Sequence, residues 1–295
     1  GTSFIMPGSG VTVTAEFESI PTSGGSSASP KYPVTDANKD TQAGGQTKLS
    51  KERAEAGDTV IITITPDKGY ENSKPVVLDN NKKSLAITDN GDGTFSFKMP
   101  AGRVSVETKF TKIDYFDDVN EDDWFDEASW YCAAHGLMQG TGNRQFDGHM
   151  GTNRAMLVTV LYRLANSTDD LESIFDDVES GKWYSEAIGW AAHNKIVEGY
   201  GNGKFGPDDT LTREQMISVL YRYSMFMKYD VSKLNSLNTF TDADAISEWA
   251  LQAMKWAAGN GIMEGIGNDL ISPETGATRA QFAAMMQRYI TTFIK

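Results

Sequence analysis

The sequence is poor in the residues that hold small proteins together through disulfides or metals. Cys132 is the single cysteine of the 295 residues, so no internal disulfide can form. The three histidines, His135, His149 and His193, lack the spacing of metal ligands. We therefore predict a fold without a disulfide framework, a metal ion or a cofactor.

Long apolar runs and an excess of positive charge are also absent. The sequence has no window of the roughly 18 consecutive apolar residues that a membrane span needs, so we predict no membrane insertion. A net charge of −13 excludes the basic face that nucleic-acid binding requires. The sequence begins Gly1-Thr2-Ser3, which looks like a cut inside a longer protein, so the lack of a signal peptide carries no information about export.

The charge is distributed unevenly along the chain. Residues 1–111 contain 12 basic and 13 acidic side chains, a net charge of −1. Residues 112–295 contain 15 and 27, a net charge of −12. A hydrophobic content of 39% is typical of folded protein, so the change near Thr111 predicts two folded regions of different chemistry.

The first region repeats itself. Residues 4–17 match residues 97–110 at a constant offset of 93 positions, which predicts that residues 1–17 are the last strand of a preceding β repeat. Residues 18–31, rich in Gly, Ser and Pro, are predicted to be a flexible linker. In residues 32–112, β-branched runs such as 60–65 lie between turn sequences, and they predict a small all-β domain.

The second region contains one unit three times, which we assign to residues 113–169, 170–234 and 235–295. Each copy opens at a phenylalanine, continues through a tryptophan and a Gly-x-Gly loop, and reaches an arginine. The arginines are 59 and 66 residues apart. The matching landmarks are Phe116, Phe175 and Phe240; Trp124, Trp183 and Trp249; Gly142, Gly201 and Gly267; and Arg154, Arg213 and Arg279.

Periodicity predicts two helices per copy. The tryptophan, an alanine four residues later and an aromatic residue three later again share one face of a first helix, which we expect to end at Gly140, Gly199 or Gly265. Apolar residues at 3, 6, 7 and 10 positions after the arginine predict a second helix. One helix pair cannot bury its apolar face alone, so an all-α bundle of three packed pairs is expected.

These motifs carry a family resemblance. The Phe-x-Asp-Val openings, the Gly-x-Gly loops, Phe205-Gly-Pro207 and the helix start Leu211-Thr-Arg-Glu-Gln215 together resemble S-layer homology (SLH) repeats. Ala56-Gly-Asp-Thr-Val60 and Pro66-Asp-Lys-Gly-Tyr70 resemble divergent internalin-type B-repeats. The family's Thr-Arg-Ala-Glu signature lacks its glutamate in every copy, and the first copy, Asn153-Arg-Ala-Met156, departs most. Of the three grooves, the Arg154 groove is therefore the one least expected to bind a ligand.

The resemblance implies a pseudo-threefold prism of three repeats with grooves between them. It also implies non-covalent binding of a secondary cell-wall polysaccharide, often one with pyruvylated N-acetylmannosamine, on the extracellular surface of a bacterium and without catalysis. The β domain would be a stalk. The chain is expected to act as a monomer.

The arginines are the candidate ligand contacts with the clearest physical argument. A cation at a helix N-terminus is disfavoured, so its recurrence at Arg154, Arg213 and Arg279 suggests an anion bound beside free backbone N–H groups. Ion pairs with acidic turns, such as those at Asp118 and Asp177, are the alternative. Thr212 and Thr278, each followed by a glutamine three residues later, predict capping boxes.

The remaining candidates are aromatic rings and loop glycines. Trp124, Trp183 and Trp249 either stack on sugar rings or pack in the core. The loops of Gly142, Gly201 and Gly267 resemble phosphate cradles without the Lys-Ser/Thr ending, so we expect their N–H groups to bind sugar hydroxyls or a carboxylate instead.

Enzyme chemistry is not predicted, because no nucleophile with its base, carboxylate pair or metal set is apparent. Cys132 is matched by Ala191 and Ala257 in the other copies, which predicts a small buried position. The competing hypothesis is a protein–protein or self-assembly module of a surface layer. A tail of a secreted hydrolase or adhesin is compatible with either function.

Overall fold

A computed structural model describes residues 29–39 and 43–294. The predicted strand at residues 1–17 and most of the predicted linker at 18–31 lie outside the described residues. The described chain has a β-strand region followed by a region with six α-helices, as the two sequence patterns predict. No helix in the described ranges is long and apolar enough to cross a membrane.

The strand region alternates buried and exposed side chains. In the longest strand, Val60, Ile62 and Ile64 are buried while Ile61 is exposed, the period-two pattern of a strand with one face on a core. The ten strands are β1 (Lys31–Asp36), β2 (Gly45–Leu49), β3 (Arg53–Glu55), β4 (Thr59–Pro66), β5 (Tyr70–Asn72), β6 (Val76–Asp79), β7 (Ile87–Asp89), β8 (Thr94–Lys98), β9 (Val104–Glu107) and β10 (Phe110–Lys112).

Three sheets organise these strands. Their orders are β3-β1-β9-β6, β2-β4-β8-β7 and β10-β5. β1 runs parallel to β9, with Val34 opposite Val104, a pairing across 70 residues that no local pattern predicts. The chain divides into two compact units, of which one contains residues 49–62 and 76–106 and the other residues 63–75 and 107–294.

The six helices alternate between the two types that the sequence predicts. The first helix of each copy is short, and the second begins at the repeated arginine. The bounds are α1 (Asp126–Ala134), α2 (Arg154–Leu164), α3 (Ser185–His193), α4 (Arg213–Phe226), α5 (Leu251–Gly259) and α6 (Arg279–Phe293).

The second helices begin with side-chain caps. Thr212 and Thr278 each form a complete capping box with the glutamine three residues on, as predicted. In α2 the Asn153 side chain accepts from the Met156 N–H at 2.9 Å, but Met156 cannot return a hydrogen bond. The predicted apolar face is buried, for example at Leu161, whose exposed fraction is zero.

The first helices differ from prediction at both ends. Trp124 lies two residues before α1, so it does not share the helix face with Ala128. Gly140 lies six residues beyond the helix end; the left-handed residue that follows α1 is Gly136, with φ +68°. The glycine at position 140 packs instead against Phe116, where an added Cβ would approach Gln145 O within 2.6 Å.

The strongest contacts between helices join different repeats. α1 packs on α6, α2 on α3, and α4 on α5, so each second helix contacts the first helix of another copy. Backbone hydrogen bonds repeat this cyclic order just before the second helices. Thr152 N donates to Ala277 O, Ala277 N to Leu211 O, and Leu211 N to Thr152 O, at 2.9 to 3.0 Å.

The helical core is filled by aromatic and small side chains. Trp190 and Trp256 are buried as predicted. Cys132 is fully buried, like Ala191 and Ala257 at the equivalent positions, and burial raises the pKa of its thiol to about 12. This cysteine is therefore a packing residue.

Candidate functional site

The second aspartate of each opening motif fixes the loop of its own repeat. The Asp118 carboxylate accepts hydrogen bonds from Phe146 N at 2.7 Å and Asp147 N at 2.8 Å. Equivalent bonds join Asp177 to Phe205 N and Gly206 N, and Asp242 to Ile271 N and Ser272 N, all at 2.8 Å. The loop carbonyls are thereby presented in the same way in all three copies.

These hydrogen bonds also set the ionisation of two aspartates. Burial opposes ionisation of Asp177 and Asp242, but the paired backbone donors outweigh it, and the pKa of each carboxyl lies below its ordinary value of 3.8. Both side chains are therefore ionised at neutral pH and occupied by their own loops.

Each repeated arginine reaches the loop of the next repeat. Arg154 donates from Nε to Phe205 O at 2.9 Å and from Nη2 to Glu198 O at 3.0 Å. Arg213 makes the same two bonds to Ile271 O and Glu264 O, and Arg279 makes them to Phe146 O and Gln139 O, at 2.7 to 2.9 Å. The three arginines thus connect the repeats in a closed cycle.

This arrangement corrects two expectations about the arginines. Their guanidinium groups bond to carbonyl oxygens. Within the described residues, none of these three arginines forms an ion pair with an acidic turn, whereas Arg144 pairs with Asp117 at 2.7 Å. The N–H groups at the helix starts are not free either, because Arg213 N donates to Thr275 O and Glu214 N to Pro273 O. The other two helices begin with equivalent bonds, from Arg154 N to Asp209 O, Ala155 N to Pro207 O, Arg279 N to Met150 O and Ala280 N to Gly148 O.

Burial lowers the pKa of all three arginines. Arg213 and Arg279 are 3% and 5% exposed, while Arg154 is partly buried. Desolvation, reinforced by the nearby charge of Arg288, lowers the pKa of Arg213 to about 10. Each guanidinium group remains charged at neutral pH and keeps Nη1 without a hydrogen bond in the described chain.

Three grooves lie next to these arginines, and each groove is built from all three repeats. We name them by their arginines: the Arg154 groove of about 280 Å³, the Arg213 groove of about 390 Å³ and the Arg279 groove of about 70 Å³. In each groove, a tryptophan completes the wall, and it comes from the repeat that contributes neither of the groove's two arginines. These tryptophans are Trp249 in the Arg154 groove, Trp124 in the Arg213 groove and Trp183 in the Arg279 groove.

The tryptophans are exposed rather than packed in the core. Trp124, Trp183 and Trp249 have exposed fractions of 63%, 59% and 56%. Such exposure of a large aromatic ring in three equivalent places indicates a contact surface. Of the two alternatives from the sequence, core packing does not agree with this exposure, and contact with a sugar ring stays a prediction.

The loop glycines do not line the grooves as expected. Gly142, Gly201 and Gly267 have φ of +131°, +81° and +106°, which explains the choice of glycine by backbone conformation. The glycines that border the grooves are Gly199 and Gly265, two residues earlier. The first copy departs from the family signature at Met156, and we expected this to affect the Arg154 groove. Met156 instead lines the Arg279 groove.

A second set of arginines was missed in the sequence. Arg163, Arg222 and Arg288 each lie nine residues after a repeated arginine, and each lines one groove. The constant spacing of nine was the signal that would have found them. Their partners differ: Arg288 Nη2 lies 2.5 Å from the Glu264 carboxylate, and Arg163 Nη1 donates to Leu137 O at 3.2 Å.

Family comparisons identify both regions. The model of the S-layer homology domain matches residues 174–217 and 239–283. The model of the divergent InlB B-repeat domain matches residues 35–114. The two matches to the S-layer homology domain contain α3 with the start of α4, and α5 with the start of α6, and these elements contribute residues to the grooves.

Relatives agree with the domain matches. An amylopullulanase of Thermoanaerobacterium thermosulfurigenes is 32% identical over 67% of this chain and 10% of its own length. A surface-layer 125 kDa protein of Lysinibacillus sphaericus is 27% identical over 52% of this chain and 13% of its own. A cellulosome-anchoring protein of Acetivibrio thermocellus is 26% identical over 42% of this chain and 27% of its own.

The matched part of the chain therefore spans between 10% and 27% of the length of these three relatives. The part that they share with it is consistent with the S-layer homology match, and this domain is a non-catalytic module for anchoring at the cell surface. The chain carries S-layer homology repeats behind a divergent InlB B-repeat domain, and it is an extracellular protein of the bacterial cell surface.

Proposed function

We propose that the helical repeats anchor the chain by binding a secondary cell-wall polysaccharide, without catalysis, in the grooves between repeats. The observation that carries this proposal is the threefold recurrence of one groove, each with an exposed tryptophan and two arginines drawn from different repeats. A binding surface built three times on one scaffold suits a ligand that itself repeats.

We also propose that residues 113–169 are a third repeat, which joins residues 170–234 and 235–295 in a pseudo-threefold bundle. The family model matches only the second and third copies. Support for the first copy comes from its equivalent bonds, in which Asp118 holds the Phe146 loop and Arg279 reaches that loop. Residues 32–112 would serve as a stalk that separates the anchor from preceding domains.

The chemistry of the grooves favours an anionic amino sugar. An indole face such as that of Trp249 offers an apolar platform for the C–H face of a pyranose ring. Guanidinium groups bind carboxylates with charge-assisted hydrogen bonds, so a pyruvyl ketal on N-acetylmannosamine fits the arginine side of the groove. Arg154, Arg213 and Arg279 would contribute through Nη1, the nitrogen that does not hold a loop carbonyl.

Sedimentation with purified cell walls tests this function. The chain is expected to sediment with intact walls and to stay in solution with walls chemically stripped of polysaccharide. A variant with Trp124→Ala, Trp183→Ala and Trp249→Ala should lose sedimentation while it keeps its helical circular dichroism, because these rings are exposed. Equal sedimentation with stripped walls would contradict the proposal.

The alternative, a self-assembly or protein-interaction module, makes a different prediction. Its acidic surface, with a net charge of −12 over residues 112–295, would bind another surface protein or copy. Oligomers that grow with protein concentration in analytical ultracentrifugation, together with indifference to wall polysaccharide, would favour it.

A further inference from the structure

We propose that the three grooves are not equivalent, and that the Arg154 groove is the principal site for the anionic saccharide, with Arg222 and Tyr200 as its specificity-determining contacts. This assignment rests on the proposed function. It reverses the order that the sequence suggests, because the helix-start signature departs most at Arg154.

The first observation is the availability of a cation. Arg222 lines the Arg154 groove and is partly buried, and no hydrogen bond or ion pair in the described chain engages its guanidinium group. Its counterpart Arg288 is held by the Glu264 carboxylate at 2.5 Å, and Arg163 is bonded to Leu137 O. A carboxylate that enters the Arg213 groove must compete with Glu264, whereas one that enters the Arg154 groove meets an uncommitted charge.

The second observation is that the Arg154 groove has an exposed tyrosine ring in addition to its tryptophan. Tyr200 is 51% exposed and lines the Arg154 groove together with Trp249, which is 56% exposed. Its hydroxyl donates to the Asp209 carboxylate at 2.9 Å, and the Arg154 guanidinium carbon lies 4.9 Å from its ring centroid, so the ring is fixed in place. The equivalent residues are Ile266 and Thr141, which offer no aromatic face.

The third observation concerns the size and the lining of the grooves. The Arg279 groove, at about 70 Å³, is the smallest of the three and is bordered by the apolar Met156. Ser218 lines the Arg154 groove, and its buried hydroxyl has no hydrogen-bond partner among the residues that the structure describes. The equivalent positions are Ala284, which has no hydroxyl, and Thr159, which is bonded to Ala155 O. The Arg213 groove is larger, at about 390 Å³ against about 280 Å³, so the free cation and the unused hydrogen-bonding capacity, and not size, distinguish the Arg154 groove from it.

Isothermal titration calorimetry separates the grooves. The probe is the methyl glycoside of N-acetylmannosamine with a pyruvyl ketal, and the same glycoside without the ketal is the reference. Arg222→Ala is expected to weaken binding of the pyruvylated probe about tenfold or more, since it removes one charge-assisted contact, and the matched Arg288→Ala less than about threefold. Tyr200→Ala should weaken binding of both probes, while Tyr200→Phe keeps the platform.

The outcomes distinguish this assignment from the proposed function. Wild-type binding that Arg288→Ala abolishes and Arg222→Ala spares would overturn the assignment and leave the function standing, as would equal losses in the two variants. Absence of saturable binding by the wild type would overturn both. Thermal melts of each variant establish folding, and the conservative Arg222→Lys, which keeps the charge, should recover part of the affinity if the contact is electrostatic.

Discussion

The Nε atom of Arg279 lies 2.7 Å from the carbonyl oxygen of Phe146, although 133 residues separate them in the sequence. This bond closes the cycle of three repeats, because it joins the last helix to the loop of the first copy. Removal of one such bond should therefore weaken the whole helical unit rather than a single repeat.

We expect Arg279→Ala to lower the free energy of unfolding by about 2 to 3 kcal/mol, since the buried carbonyl oxygen of Phe146 and the part-buried one of Gln139 lose a charged donor. Chemical denaturation followed by helical circular dichroism measures this loss of free energy. Arg279→Lys keeps the charge without the planar two-donor geometry and should recover less than half. The exposed Lys233→Ala is the control, and an Arg279→Ala effect as small as that of this control would contradict the role of the arginine as a connector.

The lowered pKa values of Asp177 and Asp242 predict that the free energy of unfolding depends on pH in the acid range. Because the folded-state pKa values of Asp177 and Asp242 lie below 3.8, the stability that they contribute is complete above that pH and is lost as the pH falls through the folded values. The double variant Asp177→Asn, Asp242→Asn should be less stable at pH 7, and its free energy of unfolding should fall less steeply between pH about 4 and 2 than that of the wild type.

Urea denaturation at a series of pH values tests that slope. Parallel curves for the wild type and the double variant would show that the loop hydrogen bonds do not depend on carboxylate ionisation.

Gly189 in α3 should not tolerate alanine, against the usual helix preference. Alanine normally stabilises a helix interior by about 1 kcal/mol relative to glycine. Here an added Cβ would lie 1.8 Å from Leu171 O, so the preceding segment would have to move. We expect Gly189→Ala to lower the melting temperature, whereas Gly151→Ala, which meets open space, should leave it nearly unchanged. A neutral Gly189→Ala would contradict the close packing of this segment.

The first repeat lacks one half of its capping box. Met156→Gln should allow the side chain to accept from Asn153 N–H, as Gln215 does from Thr212 N at 3.1 Å. We expect a gain of about 0.5 kcal/mol in the free energy of unfolding, within the range for helix caps. A loss of stability would indicate that the apolar contacts of Met156 outweigh the missing cap.

Local sequence signals predicted the features that depend on neighbours in the chain. The starts of the second helices, the capping boxes at Thr212 and Thr278, and the buried faces followed from spacing, because a helix repeats every 3.6 residues. The predicted ends of the first helices were wrong. Trp124 fits the helical spacing but lies outside α1. Gly140 recurs among the copies because it packs on Phe116, and it does not end the helix.

Long-range contacts limited the prediction of the site. Arg154 was expected to face an anion or a carboxylate, but it donates to Phe205 O. Every residue has a backbone carbonyl, so the sequence does not indicate which carbonyl will accept a hydrogen bond from an arginine. Arg222 was predictable in principle from its constant distance to the repeated arginine. The sequence did not predict that Arg288 forms an ion pair and Arg222 does not, because this difference depends on where the Glu198 and Glu264 side chains lie.

A crystal structure of the chain with the pyruvylated N-acetylmannosamine glycoside tests the binding of wall polysaccharide most directly. The expected result is a sugar ring against Trp249 and Tyr200, with the ketal carboxylate bonded to the Arg222 guanidinium group. A saccharide bound away from all three grooves would contradict groove-mediated anchoring, as would three empty grooves at a probe concentration that saturates binding in solution.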